Sequence, residues 1–411
     1  MPYPFKACLA LCSDIDNCDL QTFIEIHKFI NSTKHGLGLP VADSFFAVAN
    51  DPRHLAFFNP DGSNRPKEAE FIIQAVRDGL IDSLHAWGDF NHGPPKPEFL
   101  QTIAKNLNSD FAHANLQIPI WINHGSPNNY QNLHARLWPE YQGDNPTSPY
   151  FTMPFIKELG IKYYWNSELS PWPLSTNHPG VKSKNLKRIA VNLLKNTAKQ
   201  MLRRSSRIRT SQQLLDLTHE TFLRDGSPML AFNRFARHPD RQKLWDPTRH
   251  SLRYSLDKSV LSDLVKNQGY MIIYTHLAKP PALEDELFPP EDAKALKMLA
   301  DFYQKGSIWV GTTAQILNFR LMQNYLDWNV QQKGTKIVID IRQVNDPVTG
   351  PRIPDVNELA GVCFNTPSPA ETIIHMQGKA LNAMIFNNDN NGSGVIGFNI
   401  PPAPRTDLVD N

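Results

Sequence analysis

Asp14 and Asp16 close the apolar run "CLALCS" near the start of the chain. Residues i and i+2 of a strand point to the same side, so both carboxylates are expected on one face. Two carboxylates that close repel unless a cation lies between them or one is protonated. A divalent metal relieves the repulsion: one carboxylate ligates it and the other accepts a proton. The competing use is local, as an Asx turn or an N-cap for the helix starting near Asp19. Asn17 and Asp19 can supply that cap instead and leave the pair free.

Imidazoles follow at later strand ends. "SLHAWGDFNH" carries His85 and, seven residues on, His92, with Trp87 and Asp89 between them. One carboxylate with two histidines is a common open-site ligand set for zinc and related ions. The spacing is not a helical i, i+4 pair, so a loop must return His92 to the site. Asp89 can replace His92 as a ligand or orient an imidazole. "WINHGSPNNYQN" offers His124 as an alternative third ligand, with Asn123 beside it in an amide-rich loop suited to hydroxylated ligands. Loop-stabilising turn chemistry explains the same amides. Trp87, Trp121 and Trp165 are candidates to stack on a sugar ring. His276 ends "YMIIYTH", where an imidazole titrating near neutrality can protonate a leaving group. Arg234, in "FNRFAR", can pair with a carboxylate or steady an oxyanion.

The elements that position these residues alternate. "FKACLALCSD", "ADSFFAVAN", "LIDSLHAWGDF", "QIPIWINHG", "IKYYWN", "PMLAFNRFA", "YMIIYTHLA" and "IWVGTT" read as strands. Between them "LQTFIEIHKFINSTK", "KEAEFIIQAVRDG", "PEFLQTIAKNL", "MPFIKELG", "TSQQLLDLTHETFLRDG", "KSVLSDLVKNQG" and "PEDAKALKMLADFYQKG" have helical periodicity. About eight strand–helix alternations predict an α/β fold with a parallel sheet covered by helices. Strand ends bearing Asp14, Asp16, His85, His124, Asn166, Arg234 and His276 gather at one mouth if the sheet closes, so a distorted (β/α)7–8 barrel over residues 1–333 is expected. No Gly-rich phosphate loop follows the first strand, which disfavours an open dinucleotide-binding sheet. Short strand candidates separated by Gly, Pro and Asn turns predict a small all-β, sandwich-like module over residues 334–411.

Composition restricts the rest. With 41% hydrophobic and 20% charged residues among 411, the chain reads as a globular protein. No apolar run approaches the ~18 to 20 residues that span a bilayer. Only Lys6 precedes "ACLALC" and aspartates follow it, so no convincing signal peptide is seen and a cytoplasmic location is expected; a truncated secreted form would look the same. Cys8, Cys12, Cys18 and Cys363 form no CxxC pair, and free buried thiols suit that location. A net charge of +2 predicts no partner, and no nucleic-acid motif is present. Residues 181–210 stand apart, with ten Lys or Arg and no Asp or Glu among interleaved leucines and isoleucines. They read as a helix with a solvated basic face, or as a patch for an anionic polymer or membrane surface.

The order of these motifs resembles the polysaccharide deacetylase family, over roughly residues 5–320. Asp14 and Asp16 resemble its first motif, which places a base and then a metal ligand at the end of strand one, although here Ile15 separates them. "HAWGDFNH" stands where that family has two histidine ligands four residues apart, and "MIIYTHL" is similar to its late strand ending in the acid histidine. The family's middle arginine motif is not recognisable; "NHGSPNN" takes its place. The resemblance implies a metal-dependent hydrolase releasing an acyl group, most simply N-acetyl, from a carbohydrate. Asp14 would be the base, His276 the acid, and Asp16, His85 and His92 (or His124) the ligands of a zinc-like ion. Two other functions fit the same sequence: a glycoside hydrolase using paired carboxylates such as Asp14 with Asp89, or a non-catalytic glycan-binding protein.

Overall fold

The first strand, β1 (Ala7–Ser13), shows why the chain builds a two-faced sheet. Ala7, Leu9 and Leu11 enter one apolar core, while Cys8, Ala10 and Cys12 enter another. That is the period-two alternation of a strand buried on both faces. The computed structural model describes residues 1–136, 138–170, 216–282, 286–388 and 393–410. In it β1 joins β2 (Asp43–Ala49), β3 (Ala56–Phe58), β4 (Ile81–Leu84), β5 (Gly88–Asp89), β6 (Ile120–Ile122), β7 (Tyr163–Ser170), β8 (Thr218–Phe222), β9 (Pro228–Phe235), β10 (Tyr270–Thr275) and β11 (Ile308–Val310) in one sheet.

The strand order is β11-β1-β10-β9-β7-β6-β4-β2-β3, and every pairing along that path is parallel. Although far apart in this order, β1 and β2 approach each other. An isolated parallel bridge joins Cys12 to Ala42, and Ser44 Oγ donates to the Ser13 carbonyl at 3.0 Å. A seam of one bridge falls short of a regular closed barrel; what stands is a curved, mostly parallel sheet with helices. Its tips at β1, β4, β6, β9 and β10 carry the polar residues of interest.

Local sequence sets the helix ends. Helix α1 (Leu20–Asn31) is capped by Asp19, whose carboxylate accepts from Thr22 N–H, so Asp14 and Asp16 are not needed there. Helices α2 (Pro66–Asp78), α3 (Pro97–His113) and α4 (Met153–Glu158) each carry proline in the first turn, where its missing N–H costs nothing. Helices α5 (Lys258–Lys266), α6 (Pro290–Gln304) and α7 (Thr313–Tyr325) follow. The first six cover the outer face, and α7 packs Ile316, Leu317, Phe319 and Met322 into the inner core with Trp309.

Asp82 on β4 pins α7 to the sheet. Its carboxylate accepts from Ala314 N–H and from Ser83 Oγ, each at 2.7 Å. Burial raises its pKa to about 6 despite those hydrogen bonds. The folded state therefore holds this proton over a range where an unfolded aspartate, titrating near ~4, has released it. Stability is expected to fall as pH rises from about 4 to about 6, and to do so no further above that. Asp82→Asn is expected to flatten that slope in urea midpoints measured across the range.

Three expectations change. The segment "TSQQLLDLTHETFLRDG" was expected to be helical, but Thr218–Phe222 forms β8, antiparallel to β9. The Asp225–Gly226 turn explains this: Gly226 adopts a left-handed φ of 81°, and Asp225 accepts from Ser227 N–H, as a hairpin requires. "LIDSLHAWGDF" is not one strand. It breaks after Leu84, with Ala86 at φ 58°, and resumes as β5 beside β2. The C-terminal strands begin at Leu326 rather than residue 334.

These C-terminal strands form two sheets. One has the order β12 (Leu326–Lys333), β13 (Lys336–Asp346), β16 (Thr372–Met376), β17 (Lys379–Ala380), with β14 (Gly350–Arg352) on β13. The other has the order β15 (Cys363–Thr366), β19 (Gly394–Gly397), β18 (Met384–Asn388). Ile339, Ile341, Phe364 and Ile396 share the inner core with α7, so these two sheets pack against the main sheet through a common core. The basic residues 181–210 lie outside the described residues. Among those described, no helix is long and apolar enough to cross a membrane.

Candidate metal centre

The two opening aspartates are separated by their partners. Asp14 extends the β1–β10 ladder, its N–H donating to the Thr275 carbonyl at 2.9 Å. Its carboxylate takes a two-pronged ion pair from Arg234 at the tip of β9: Nη1 to Oδ1 at 2.5 Å and Nη2 to Oδ2 at 3.2 Å. Arg234 has no exposed surface, and its guanidinium lies 3.5 Å from the Trp165 ring centroid and 3.9 Å from that of Tyr274. Asp16 faces three imidazoles instead. His85 Nε2 and His276 Nε2 stand 3.7 and 3.2 Å from Oδ2, and His124 Nδ1 stands 3.9 Å from Oδ1. A cation on one carboxylate and a ring of imidazoles on the other answer the repulsion that the sequence raises.

Asp16, His85 and His124 each turn one donor atom into a space where all three lie within 4.8 Å of one another. His85 Nε2 and His124 Nδ1 are 2.8 Å apart, where two ring nitrogens share one proton. Burial drives the His85 pKa down to about 3, so its ring is neutral, and a metal ion would take the place of the proton between the two nitrogens. Behind His124, Nε2 lies 3.2 Å from Asp89 Oδ1. A carboxylate on the far nitrogen favours the proton there and leaves Nδ1 to ligate, while the Asn91 amide nitrogen faces the same Nε2 at 3.0 Å. Burial lowers the His124 pKa, but Asp16 and then Asp89 outweigh that and leave it raised, so a metal ion would bind there in place of a proton. One carboxylate and two imidazoles, with a carboxylate behind one of them, fit a zinc-like ion that keeps an open position.

His276 is placed differently. Its Nδ1 lies 2.6 Å from the Pro247 carbonyl and its Nε2 3.2 Å from Asp16, so both nitrogens face acceptors. Burial lowers its pKa, but the hydrogen bond and charge of Asp16, then Asp14, outweigh that and leave it raised. Acceptors at both nitrogens favour the protonated ring and aim its Nε2 proton toward the cluster. Burial also pushes Asp14 up, and Arg234, then His85 and His276, more than offset it and hold the carboxyl below its ordinary range.

The other sequence candidates fall into place around this core. His92 is exposed in the loop after β5 and is not in the cluster; His124 stands where His92 was expected. The reason is β5, whose pairing with β2 carries the chain outward before His92. Trp87 is fully buried, donates to Thr152 Oγ1 at 2.9 Å and packs edge-on against Trp121, so neither ring faces a ligand. Trp165 is buried beneath Arg234. Asn123 is structural: its side chain accepts from Trp121 Nε1 at 2.8 Å and Leu133 N–H at 3.0 Å, and donates to the Leu133 carbonyl at 2.9 Å. Asp89 orients an imidazole rather than joining the donors.

Residues that the sequence reading did not single out complete the surroundings. Asp246 lies 3.7 Å from His276 Nδ1 and 3.0 Å from Lys279 Nζ. Phe46 packs on His85 and His124, with ring centroids 4.8 and 5.1 Å apart. Asn91 Nδ2 reaches His124 Nε2 at 3.0 Å. The phrase "LWDPTRH" sits in a long polar loop and gives no periodic signal that would mark Asp246.

No family model matches the chain, and no curated protein does. Among solved structures, a 4-alpha-glucanotransferase from Thermococcus litoralis overlays with a TM-score of 0.34 and 9% identity, across 76% of this chain and 40% of that one. A Bacteroides ovatus protein described as an alpha-L-fucosidase overlays with a TM-score of 0.30 and 10% identity, across 88% of this chain and 57% of that one. The chain thus spans less than two thirds of either protein. The chemistry proposed next follows from the side chains themselves.

Proposed function

We propose that the chain is a metal-dependent hydrolase that removes an acyl group, most simply N-acetyl, from a carbohydrate. The convergence of Asp16, His85 and His124, between an arginine-held carboxylate and a doubly hydrogen-bonded histidine, carries this reading. The carbohydrate substrate rests on the motif order that resembles the polysaccharide deacetylases. A divalent ion held by the three donors would supply Lewis acidity toward an acyl carbonyl.

The chain's own groups divide the proton work. Asp14, kept ionised and immobile by Arg234, accepts a proton from an incoming water. His276, protonated and tethered to the Pro247 carbonyl, gives one from Nε2 to the departing amine. Asp89 keeps His124 in its ligating tautomer.

Glycosidic cleavage between two carboxylates, the second reading, needs one of them protonated and facing the other. Asp14 and Asp16 are both held below the ordinary carboxylate range, and Asp89 is turned toward His124 and His54. Asp82 does carry a raised pKa, but it is bound to the start of α7.

The deciding experiment is acetate release from a panel of N-acetylated oligosaccharides, before and after dialysis against a strong chelator. The metal reading expects activity to disappear on chelation and return with zinc. An unchanged rate, with glycosidic bonds cut, would favour the second reading. His276→Gln is expected to lower kcat by about 10²- to 10⁴-fold while zinc stoichiometry stays at the wild-type level. Loss of the metal from that variant would move His276 into the ligand set.

A further inference from the structure

We propose that His54 is a positioning residue for the metal centre, acting through Asp89 on His124; the inference rests on the metal-dependent reading above. His54 lies in the loop between β2 and β3 and is buried. Among the described residues its Nδ1 has no hydrogen-bond partner, and it stands 3.5 Å from Asp89 Oδ2. The other Asp89 oxygen, Oδ1, lies 3.2 Å from His124 Nε2 and accepts from Asn91 N–H at 3.2 Å. The carboxylate is therefore set between two imidazoles, one ligating and one outside the ligand set.

The packing supports the same chain. Phe46 stacks on His54 at 5.3 Å and 28°, and its ring also meets His85 at 4.8 Å and His124 at 5.1 Å. One phenyl ring thus fixes three imidazoles relative to one another. A ligating histidine needs its far nitrogen held by a carboxylate, and that carboxylate needs its own partner to keep its angle. His54 is the group facing the oxygen that His124 does not use. Without it, Asp89 Oδ2 loses the group that faces it, and only the Oδ1 contacts to Asn91 N–H and His124 Nε2 remain to hold the carboxylate angle.

Two substitutions separate positioning from packing. His54→Phe keeps a ring on Phe46 and removes the nitrogen facing Asp89; His54→Gln keeps a polar nitrogen there and removes the ring. Zinc and cobalt(II) affinities are measured on the full chain by competition with a chelating dye, alongside melting of the metal-free protein. A positioning role expects His54→Phe to bind zinc about 10- to 100-fold more weakly than wild type, with His54→Gln recovering most of the loss. In an Asp89→Asn background, His54→Phe is expected to cause no further loss, because both changes cut one path. The proposal is overturned if His54→Phe binds zinc as wild type does, or if His54→Gln is no better than His54→Phe. Wild-type protein that binds no zinc would instead overturn the metal reading, and that result is read before any variant is made.

Discussion

Asp16→Ala is expected to reduce bound zinc from about one per chain to background and to abolish turnover. Asp16 is the only carboxylate in the three-donor cluster, and its two oxygens address all three imidazoles around it. Losing it leaves two imidazoles, too few donors for a zinc site that normally takes three protein ligands and an open position. Lewis-acid assistance is worth several kcal/mol. A loss of ~4 kcal/mol corresponds to a rate fall of roughly a thousandfold. Asp16→Asn serves as the control for shape, and it too is expected to lose the metal, since an amide oxygen carries no charge. Metal content by elemental analysis and acetate release are read on the same preparations. Retention of stoichiometric metal by either variant would remove Asp16 from the site.

Arg234→Met is expected to destabilise the fold by about 3 to 5 kcal/mol, because it strands a buried carboxylate. Asp14 is 2% exposed, and its two oxygens are engaged by the two guanidinium nitrogens. His276 at 3.9 Å and His85 at 4.0 Å can offset only part of the lost charge. The methionine fills the slot between Trp165 and Tyr274 and so limits the packing loss. Replacing both partners, as Arg234→Met with Asp14→Leu, removes the stranded charge, and most of the stability is expected to return while activity does not. Urea unfolding of the two single variants and the double variant measures the coupling. A destabilisation by Arg234→Met of under ~1 kcal/mol, the level of an exposed pair, would mean that Asp14 is not held in this way.

Most strands, β8 and the broken β4–β5 run excepted, and the placing of acidic and imidazole groups at strand tips were legible because apolar runs end abruptly in polar residues. Asp14, Asp16, His85, Arg234 and His276 meet for that reason. The choice of His124 over His92 depends on sheet order. β4 and β6 are neighbours, with Leu84 opposite Trp121, so His85 and His124 leave adjacent tips despite a sequence separation of 39. Nothing in the "HAWGDFNH" spacing reveals that β5 swings to β2 and carries His92 outward. The tryptophans misled for a related reason. Trp121 alternates with Ile120 and Ile122, and the strand's period sends it to the helix-covered face, away from the site. The Asp89–His54 contact joins the chain around β5 to the loop after β2, and no local pattern encodes it.

The most direct test is zinc stoichiometry of the purified chain and of three single variants, His85→Ala, His124→Ala and His92→Ala. The shared-ion account predicts about one equivalent in the wild type and in His92→Ala, and background levels in the other two. A metal-free wild type, or a site that survives loss of His124 but not of His92, would contradict it.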